Sequence, residues 1–393
     1  MIEDAISKCI HRCNQEFEKK QSISHLNLRN ASKDDVNSML SLVQGLAKYE
    51  KQLEQCHVDA KTILEDAFGT HPEFYCLLVE DSKRMNSSFV CGLAFFFFGY
   101  STWDGKFLHL EGLFVEEKYR GLGVGKQLMF TLADLAQNLS CSRFVWQALD
   151  WNKPALDFYK KIGAKTLHGW LTLRMEKDAM TKFLSTRSHV TSIESYEQIT
   201  KKPLTRVQVC KSIDFCLEVS NLQLRSKENS SDLKLRRATE NDVEAIMRLV
   251  NNLAIYEKEP ESVHVNTDVY LQDGFGENPV FYCILLEIKL EDQSYVCGMG
   301  LFYFGYSTTD GRFLYLEDLF IEEKYRGLGA GKQIMYTLAD LAKSLSCSRF
   351  VWQALDWNKP ARIFYESIGA KTLHTVLTLR FEEDSIAKFL GTR

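Results

Sequence analysis

What the chain lacks already excludes several classes of protein. Its longest apolar run extends only from Leu93 to Phe98, far below the roughly 20 residues that a membrane-spanning helix needs. The N-terminal segment MIEDAISKCIHRCNQEFEKK also lacks the apolar stretch of a secretory signal. We therefore expect a soluble, cytoplasmic protein that does not bind membranes.

The chain also lacks a strong charge of either sign and a metal-binding pattern. Its formal net charge is −4, so nothing indicates a general attraction for nucleic acid. None of its 11 cysteines forms a Cys-x-x-Cys pair, and no histidine pattern completes a zinc site beside Cys9 and Cys13. An odd number of scattered cysteines is typical of reduced thiols. The sequence therefore predicts neither a nucleic-acid partner nor a bound metal.

What the chain has is a globular composition and an internal repeat. Of its 393 residues, 45% are hydrophobic and 25% are charged, as in soluble globular proteins. Residues 105–168 align with residues 311–374 without a gap, and 51 of these 64 positions are identical. Upstream, FYCLLVE at 74–80 corresponds to FYCILLE at 281–287. A repeat of about 160 residues has the size of a domain.

The repeat divides the chain into segments with different expected structures. We predict a helical extension at 1–23, a first domain at 24–187, a polar linker at 188–231 and a second domain at 232–393. In the first repeat, apolar periodicity indicates strands at 26–28, 74–80, 89–100, 106–115, 143–149 and 166–175, and helices near 32–50, 58–67, 127–138 and 154–162. This mixture of strands and helices predicts an α/β (α+β layered) domain.

A glycine-rich segment follows one predicted strand and precedes an amphipathic helix. It reads RGLGVGK at 120–126 and RGLGAGK at 326–332. Glycines let a backbone approach a phosphate closely, and the start of a helix attracts negative charge. The spacing fits neither the G-x-G-x-x-G dinucleotide pattern nor a Walker loop. A phosphate-binding loop is favoured, with a glycine-rich turn that binds nothing as the alternative.

The pattern R-x-x-G-x-G/A between a strand and a helix resembles the acetyl-CoA loop of the GNAT acetyltransferases. AKYEK at 47–51, DAFGTHP at 66–72, LEGLFVEEKYRGLGVGK at 110–126 and DWNKPALDFYKKIGA at 150–164 are similar to the spermidine/spermine (diamine) acetyltransferase family. The resemblance covers nearly all of each repeat. It implies two GNAT-type domains, each a mixed, mostly antiparallel sheet with helices on both faces. It also implies acetyl-CoA as co-substrate and no metal.

The resemblance assigns catalytic roles to two residues in each repeat. In the resembled enzymes the tyrosine of a Phe-Tyr pair protonates the departing thiolate, and Tyr159 and Tyr365 match it. A strand glutamate binds the amine and helps to remove its proton, and Glu111 and Glu317 match it. From the residues alone, a buried core tyrosine and a strand-end glutamate in a surface salt bridge are the alternatives.

The resemblance also assigns the walls of an acetyl-CoA cleft. The strand end would contact the pantetheine arm, the glycine loop the pyrophosphate, and the start of a later helix would form the opposite wall. In the first repeat these positions are Leu113, Phe114, Val115, Arg120, Gly121, Leu122, Gly123, Val124, Gly125, Lys126, Asn152, Lys153, Pro154 and Ala155. In the second repeat they are Leu319, Phe320, Ile321, Arg326, Gly327, Leu328, Gly329, Ala330, Gly331, Lys332, Asn358, Lys359, Pro360 and Ala361.

The acceptor site is assigned to carboxylates and aromatic residues, because both stabilise a cationic amine. The positions that match the family are Tyr49, Glu50, Trp103, Val145, Trp146, Gln147, Tyr256, Glu257, Asp318, Val351, Trp352 and Gln353. Two of the differences between the repeats concern the predicted acceptor contacts. Gly112 corresponds to Asp318, and Trp103 corresponds to Thr309. We therefore expect each repeat to lack one acceptor contact.

Together these assignments predict an N-acetyltransferase. It would move an acetyl group from acetyl-CoA to a primary amine of a small polyamine or diamine (spermidine, spermine or putrescine) by direct transfer in a ternary complex. The alternatives are acetylation of thialysine-type or other small amino-acid amines, acetylation of protein lysines, and an acyl-CoA-binding regulatory module without turnover. Because the resembled enzymes are homodimers, we expect the two repeats to form an intramolecular pseudo-dimer. A homodimer of whole chains is also allowed.

Overall fold

The computed structural model describes residues 2–69, 71–83, 89–187, 205–226, 230–291 and 293–393. Its helices are α1 Ile2–Glu18, α2 Val36–Tyr49, α3 Ala60–Phe68, α4 Val124–Asn138, α5 Lys153–Lys161, α6 Lys177–Ser185, α7 Arg206–Arg225, α8 Val243–Tyr256, α9 Thr267–Tyr270, α10 Ala330–Ser344, α11 Lys359–Ser367 and α12 Glu383–Leu390. Its strands are β1 Leu26–Asn30, β2 Tyr75–Asp81, β3 Phe89–Ser101, β4 Gly105–Val115, β5 Arg143–Leu149, β6 Lys165–Thr166, β7 Trp170–Glu176, β8 Leu233–Arg237, β9 Tyr282–Leu290, β10 Gln293–Ser307, β11 Gly311–Ile321, β12 Arg349–Leu355, β13 Lys371–Leu373 and β14 Val376–Glu382.

The described strands form two seven-stranded sheets. The first sheet has the order β1-β2-β3-β4-β5-β14-β6, and the second has the order β13-β7-β12-β11-β10-β9-β8. Neighbouring strands are antiparallel except for β4 with β5 and β11 with β12, which run parallel. The prediction of two α/β domains with mixed, mostly antiparallel sheets is therefore confirmed.

The two repeats exchange their last strands. Strand β7 of the first repeat lies between β12 and β13 of the second sheet, and β14 of the second repeat lies between β5 and β6 of the first sheet. The helix after each exchanged strand packs on the sheet that this strand joins. For example, the Phe389 ring of α12 stacks on the Phe130 ring of α4 with a centroid distance of 4.3 Å. Each compact body therefore takes its final strand and helix from the other repeat. The predicted boundaries at 187 and 232 follow the sequence repeat and not these bodies.

The hydrophobic core has three parts, which give each sheet helices on both faces. An inner core lies between the sheets and contains residues of both repeats, among them Val43 on α2, Phe95 on β3, Val250 on α8 and Leu301 on β10. One outer core lies under α1, α4 and α12, and the other lies under α6, α7 and α10. Because the inner core is shared, separating the repeats would expose apolar surface on both of them.

Helix α7 occupies part of the predicted linker and is the counterpart of α1. The Asn14 side chain of α1 binds both backbone groups of Leu28, with distances of 2.7 and 2.9 Å. Asn221 of α7 binds Leu235 in the same way, with both distances 2.7 Å. Residues 206–225 of the predicted linker are therefore a packed helix, whereas 188–204 and 227–229 lie outside the described residues. The predicted helical segment at 1–23 contains α1, which docks on α4.

Within the described part of the chain, the search for a helix of sufficient length and apolarity to span a bilayer finds none.

Candidate active site

In each sheet, the only described parallel strand pair separates after three residue pairs and leaves a cleft. In the first sheet these pairs are Leu108 with Phe144, His109 with Val145, and Leu110 with Trp146. Residues 113–115 continue to pair with β3 on their other side, but β5 now pairs only with β14. The edge of β4 that faces β5 is therefore open from this point. The second sheet repeats the separation after Leu316 and Trp352.

A β-bulge lies where the strands separate. Phe95 pairs with Gly112 and Phe96 pairs with Leu110, so Glu111 is an extra residue in β4. Glu317 is the extra residue of β11 in the same way, between the Leu301–Asp318 and Phe302–Leu316 pairs. A bulge redirects its side chain and breaks the ladder locally. The bulges lie at Glu111 and Glu317 themselves, two residues before Leu113 and Leu319, at which the open strand edge begins.

The glycine loop leads directly into the start of α4. Gly121 and Gly123 have φ values of +75° and +92°, a backbone region that only glycine adopts freely. Nothing lies within 4 Å of the place where a Cβ would stand on either residue, so the loop is open on its outer side. Because Gly123 is the N-cap, the first N–H groups of α4 have no capping side chain. Such a terminus can bind a phosphate.

The opposite wall of the cleft is the start of α5. Asn152 Oδ1 accepts hydrogen bonds from the Ala155 N–H at 3.3 Å and from the Tyr49 hydroxyl at 3.2 Å. The Arg120 guanidinium lies 5.2 Å from the Tyr49 ring, and its Nε donates to the Val115 carbonyl at 2.8 Å. Tyr49 therefore connects the two walls of the cofactor cleft, although the sequence analysis assigned it to the acceptor.

The second repeat has the same cleft arrangement. Tyr256 donates to Asn358 Oδ1 at 3.3 Å, and the Arg326 guanidinium lies 5.0 Å from the Tyr256 ring. Gly327 and Gly329 have φ values of +80° and +82°. The remaining cleft residues of both repeats, including Lys153 and Lys359, occupy the corresponding loops and helix starts.

The two predicted acids are buried tyrosines at the inner end of the clefts. Tyr159 on α5 has its ring centroid 5.1 Å from that of Trp146, and Tyr365 on α11 lies 5.2 Å from Trp352. Burial, assisted by Glu50, raises the pKa of Tyr159 well above its ordinary value. Burial, Glu257 and Asp318 raise the pKa of Tyr365 in the same way. Each hydroxyl therefore carries its proton at neutral pH.

A cavity of about 700 Å³ lies between the two sheets and is lined by both repeats. Eight carboxylates and four arginines line it, and the carboxylates include Glu50, Glu111, Glu257, Glu317 and Asp318. Val145, Gln147, Val351 and Gln353 also line it. Trp146 and Trp352 do not, because alternate residues of a strand face opposite sides and their rings lie in the outer cores. The predicted acceptor set is therefore brought together except for these tryptophans and the two cleft tyrosines.

Each predicted base has a cation from the other repeat beside it. Glu111 Oε1 lies 3.8 Å from an Nη atom of Arg349, and Glu317 Oε1 lies 3.8 Å from one of Arg143. Burial raises the pKa of Glu111 to about 7, against the opposing effect of Arg349. Burial and the neighbouring Asp318 raise the pKa of Glu317. The sequence analysis missed both arginines, although a charged residue opens this apolar strand in both repeats.

His109 is a third residue near the predicted bases that the sequence pattern did not indicate. Its ring stacks 4.7 Å from Phe97, and its Nε2 lies 3.7 Å from Glu111 Oε2. Burial and the charge of Arg349 lower the pKa of His109 to about 3, so the ring is neutral at physiological pH. The second repeat has Tyr315 at this position.

Trp103 lies at the acceptor site of the second repeat and not at its own. Its carbonyl accepts hydrogen bonds from the His264 and Val265 N–H groups at 2.8 and 3.1 Å. The Thr309 carbonyl accepts from His57 and Val58 in the same way, at 2.7 and 3.1 Å. These turns cross between the repeats, so the two differences between the repeats lie at the same predicted acceptor site, and the loss of one contact in each repeat stays a prediction.

Each cleft combines an open strand edge, an uncapped helix start that can bind a phosphate, and a buried tyrosine, an arrangement that suits an acyltransferase with a phosphate-bearing donor. The sequence pattern of the acetyltransferase (GNAT) family matches the chain twice, at residues 41–164 and 244–370. The chain therefore belongs to the GNAT family of acetyl-CoA-dependent N-acetyltransferases, with the domain present in tandem.

Known proteins resemble one repeat or the whole chain. Thialysine N-epsilon-acetyltransferase of Mus musculus is 41% identical over 165 residues, which are 40% of this chain and 97% of that protein. Spermidine/spermine N(1)-acetyltransferase-like protein 1 of Homo sapiens is 30% identical over 167 residues, 41% of this chain and 24% of that protein. The solved GCN5-related N-acetyltransferase of Sphaerobacter thermophilus aligns over 91% of this chain and 96% of its own, with 11% identity and a TM-score of 0.49.

Proposed function

We propose that the chain transfers the acetyl group of acetyl-CoA to a primary amine of a small polyamine or diamine, directly, at two sites. The observation that carries this proposal is the cluster of half-buried carboxylates in the cavity between the sheets. Buried carboxylates without enough cations are costly, so they favour a cationic ligand. Site one contains Glu50 and Glu111, and site two contains Glu257, Glu317 and Asp318.

The residues of the cleft fit acetyl-CoA as the donor. The open glycine loop and the N–H groups at the start of α4 or α10 would bind the pyrophosphate. The open edges at Leu113–Val115 and Leu319–Ile321 would pair with the pantetheine arm, and Asn152–Ala155 and Asn358–Ala361 would close the opposite wall. When it is bound, acetyl-CoA supplies the acetyl group as an activated thioester.

The protein's own groups move two protons. Glu111 has a pKa of about 7, so near neutral pH it can accept a proton from the ammonium group of the acceptor and expose the nucleophilic nitrogen. Tyr159 keeps its proton and can donate it to the departing sulfur. Glu317 and Tyr365 would act in the same way at site two.

A second candidate acceptor is the side-chain amine of a thialysine-type amino acid. It is favoured by the 41% identity to the mouse protein named for that activity. Such an acceptor carries a carboxylate beside its second ammonium group, and the cavity contains Arg143 and Arg349 as well as carboxylates. We place the polyamine first because both arginines already lie beside glutamates.

Amine-dependent release of CoA tests the function with Tyr159→Phe, Tyr365→Phe and the double variant. General acid catalysis contributes about 100-fold or more to a rate, so each single variant should lose one site and the double variant should retain about 1% of activity or less. Tyr75→Phe is the matched control, because Tyr75 of β2 packs against Phe96 of β3 and not against a residue of either cleft wall. Full activity of the double variant would show that the acid is misassigned. No release with any amine, while CoA still binds, would support a non-catalytic acyl-CoA-binding module.

A further inference from the structure

The turn between β3 and β4 and its counterpart between β10 and β11 each enter the acceptor site of the other repeat. The Thr308 N–H of the second repeat lies 3.4 Å from Glu111 Oε1 of the first. Thr102 of the first repeat lies close enough to the Asp318 carboxylate of the second to lower its pKa. Each acceptor site is therefore built from one strand bulge and from the turn of the other repeat.

This crossing brings the two acceptor differences together in one site. Asp318 belongs to the second repeat and Trp103 to the first, yet both lie at site two. Gly112 and Thr309, which replace them, both lie at site one. Site two therefore has an additional carboxylate and an indole, and site one has neither.

The surroundings of Gly112 at site one differ from those of Asp318 at site two. A Cβ on Gly112 would lie 3.1 Å from Thr308 Cγ2 and 3.2 Å from Leu46 Cδ2, so an acid at site one would require these two side chains to move by a few tenths of an ångström. At site two, one carboxylate oxygen of Asp318 is available to a ligand. Asp318 Oδ2 is buried and has no hydrogen-bond partner among the described residues. A buried carboxylate oxygen without a donor is costly unless a ligand supplies one.

The charges of the two sites differ in the same direction. Site one has Glu50 and Glu111 with Arg349, whereas site two has Glu257, Glu317 and Asp318 with Arg143. One arginine therefore lies beside three carboxyl groups at site two and beside two at site one, so site two can offer one more carboxylate to a cationic ligand. A ligand with two cationic groups would compensate the charge of these carboxylates, and the face of Trp103 would contribute a cation–π contact.

We propose that the two sites are specialised: site two selects amines that carry a second positive charge, and site one accepts amines with a single charge. Asp318 Oδ2 and the Trp103 ring bind the second charge, while the first amine lies beside Glu317. This inference rests on the acetyl-transfer function proposed above.

The first test compares the two sites with a matched pair of acceptors. The Tyr365→Phe chain reports site one and the Tyr159→Phe chain reports site two, with butane-1,4-diamine and butylamine as acceptors. We expect the ratio of kcat/KM for the diamine over the monoamine to be at least about tenfold higher at site two. Ratios that agree within about twofold would overturn the specialisation.

The second test crosses the repeats. In the Tyr159→Phe chain, Trp103→Thr and Asp318→Asn should each lower the diamine preference several-fold, although Trp103 belongs to the repeat whose own site is silenced. Glu244→Gln, which neutralises an exposed carboxylate on α8, is the matched control for charge. Gly112→Asp with Thr309→Trp in the Tyr365→Phe chain should raise the diamine preference of site one. An unchanged ratio in all three site variants would refute the inference.

Failure of the function and failure of the specialisation give different results. If the unaltered chain releases CoA with neither amine, the acetyl-transfer proposal fails, and calorimetry with butane-1,4-diamine then tests the site itself. One tight diamine site per chain that Asp318→Asn abolishes would support the selective pocket, and two equal sites would contradict it. If both amines are acetylated but the ratios do not change, only the specialisation fails.

Discussion

The two acceptor sites differ much more than the repeats that form them. The repeats are identical at 51 of the 64 positions of residues 105–168 and 311–374. Two substitutions that lie in different repeats nevertheless meet at one site, because the turns after β3 and β10 cross between the repeats. Under the specialisation proposed above, a repeat is therefore not the unit that diverges in function. The unit is the site, which contains segments of both repeats.

The contacts that hold the two crossing turns in place also differ. Next to the turn that enters site one, Arg312 Nε donates to Glu73 Oε2 of the other repeat at 2.7 Å, and Arg312 is 5% exposed. The corresponding residue of the first repeat is Lys106, whose Nζ lies 5.7 Å from the Phe98 ring. The turn that enters site two is instead held by Tyr270, whose hydroxyl donates to the Thr102 carbonyl at 2.7 Å.

The largest expected difference concerns the ion pair of Arg312 and Glu73. Arg312→Met should lower the free energy of unfolding by about 3–5 kcal/mol, because it leaves the Glu73 carboxylate without its partner. Lys106→Met should change stability by about 0.5 kcal/mol or less, because Lys106 has no comparable buried pair. Urea unfolding measures both values. Equal losses would mean that the two supports are equivalent, and Arg312→Met with Glu73→Met should recover much of the stability.

The glycine loops should separate the two cofactor clefts. An alanine in the left-handed region costs about 1–2 kcal/mol, so Gly123→Ala should weaken CoA binding at site one by about 5- to 30-fold. Gly329→Ala should do the same at site two only. Calorimetry should resolve one tight and one weak CoA site in each variant. Gly163→Ala is the control, because it places the same strain, at φ +88°, in a turn outside the loop. If each variant weakened both sites equally, the clefts would not be independent.

The arginines beside the bases should act across the repeats. Arg143→Ala removes the cation beside Glu317, which raises the pKa of that carboxyl further and leaves less of the base form at neutral pH. We expect about a tenfold loss of kcat/KM at site two near pH 7, with recovery at higher pH. Arg349→Ala should do this at site one. Arg143→Lys should restore part of the activity, and a loss that does not depend on pH would indicate a purely structural role.

The smallest expected difference is a displacement of the pH profiles. Burial raises the pKa of the proposed base Glu111 to about 7, and burial with Asp318 raises the pKa of the proposed base Glu317 to about 8. A base acts when it is deprotonated, so activity rises as the pH passes upward through its pKa. The rising limb of kcat/KM should therefore lie about one pH unit higher at site two than at site one. Coincident limbs in the Tyr159→Phe and Tyr365→Phe chains would contradict this order, and Asp318→Asn should move the limb of site two downward.

The sequence predicts local features well because they depend on neighbouring residues. The first five predicted strands correspond to β1 through β5, the predicted helices correspond to α2 through α5, and the glycine loop leads into α4. The single strand predicted at 166–175 is wrong, because this segment is divided into β6 and β7, which join different sheets. Glu111 lies in β4 and Tyr159 lies on α5, as their local patterns indicate, whereas the bulge at Glu111 was not predicted at that residue. Their catalytic roles stay predictions.

The exchange of strands could not be predicted from the sequence. LTLRME of β7 and LTLRFE of β14 have the same pattern of apolar and polar residues, so either strand fits either sheet. The location of Trp103 depends on which turn crosses to which site, and the place of Tyr49 depends on the separation of β4 from β5. These are tertiary relations between distant segments, and no local periodicity contains them.

The exchange of β7 and β14 has a consequence for assembly at low concentration. Because both strands belong to one polypeptide, neither can diffuse away from the sheet that it completes. A covalent connection replaces the protein concentration by an effective concentration that the chain itself sets. The two bodies should therefore stay joined at dilutions at which separate subunits with the same interface would dissociate. Each molecule also keeps its two unlike sites in a fixed one-to-one ratio.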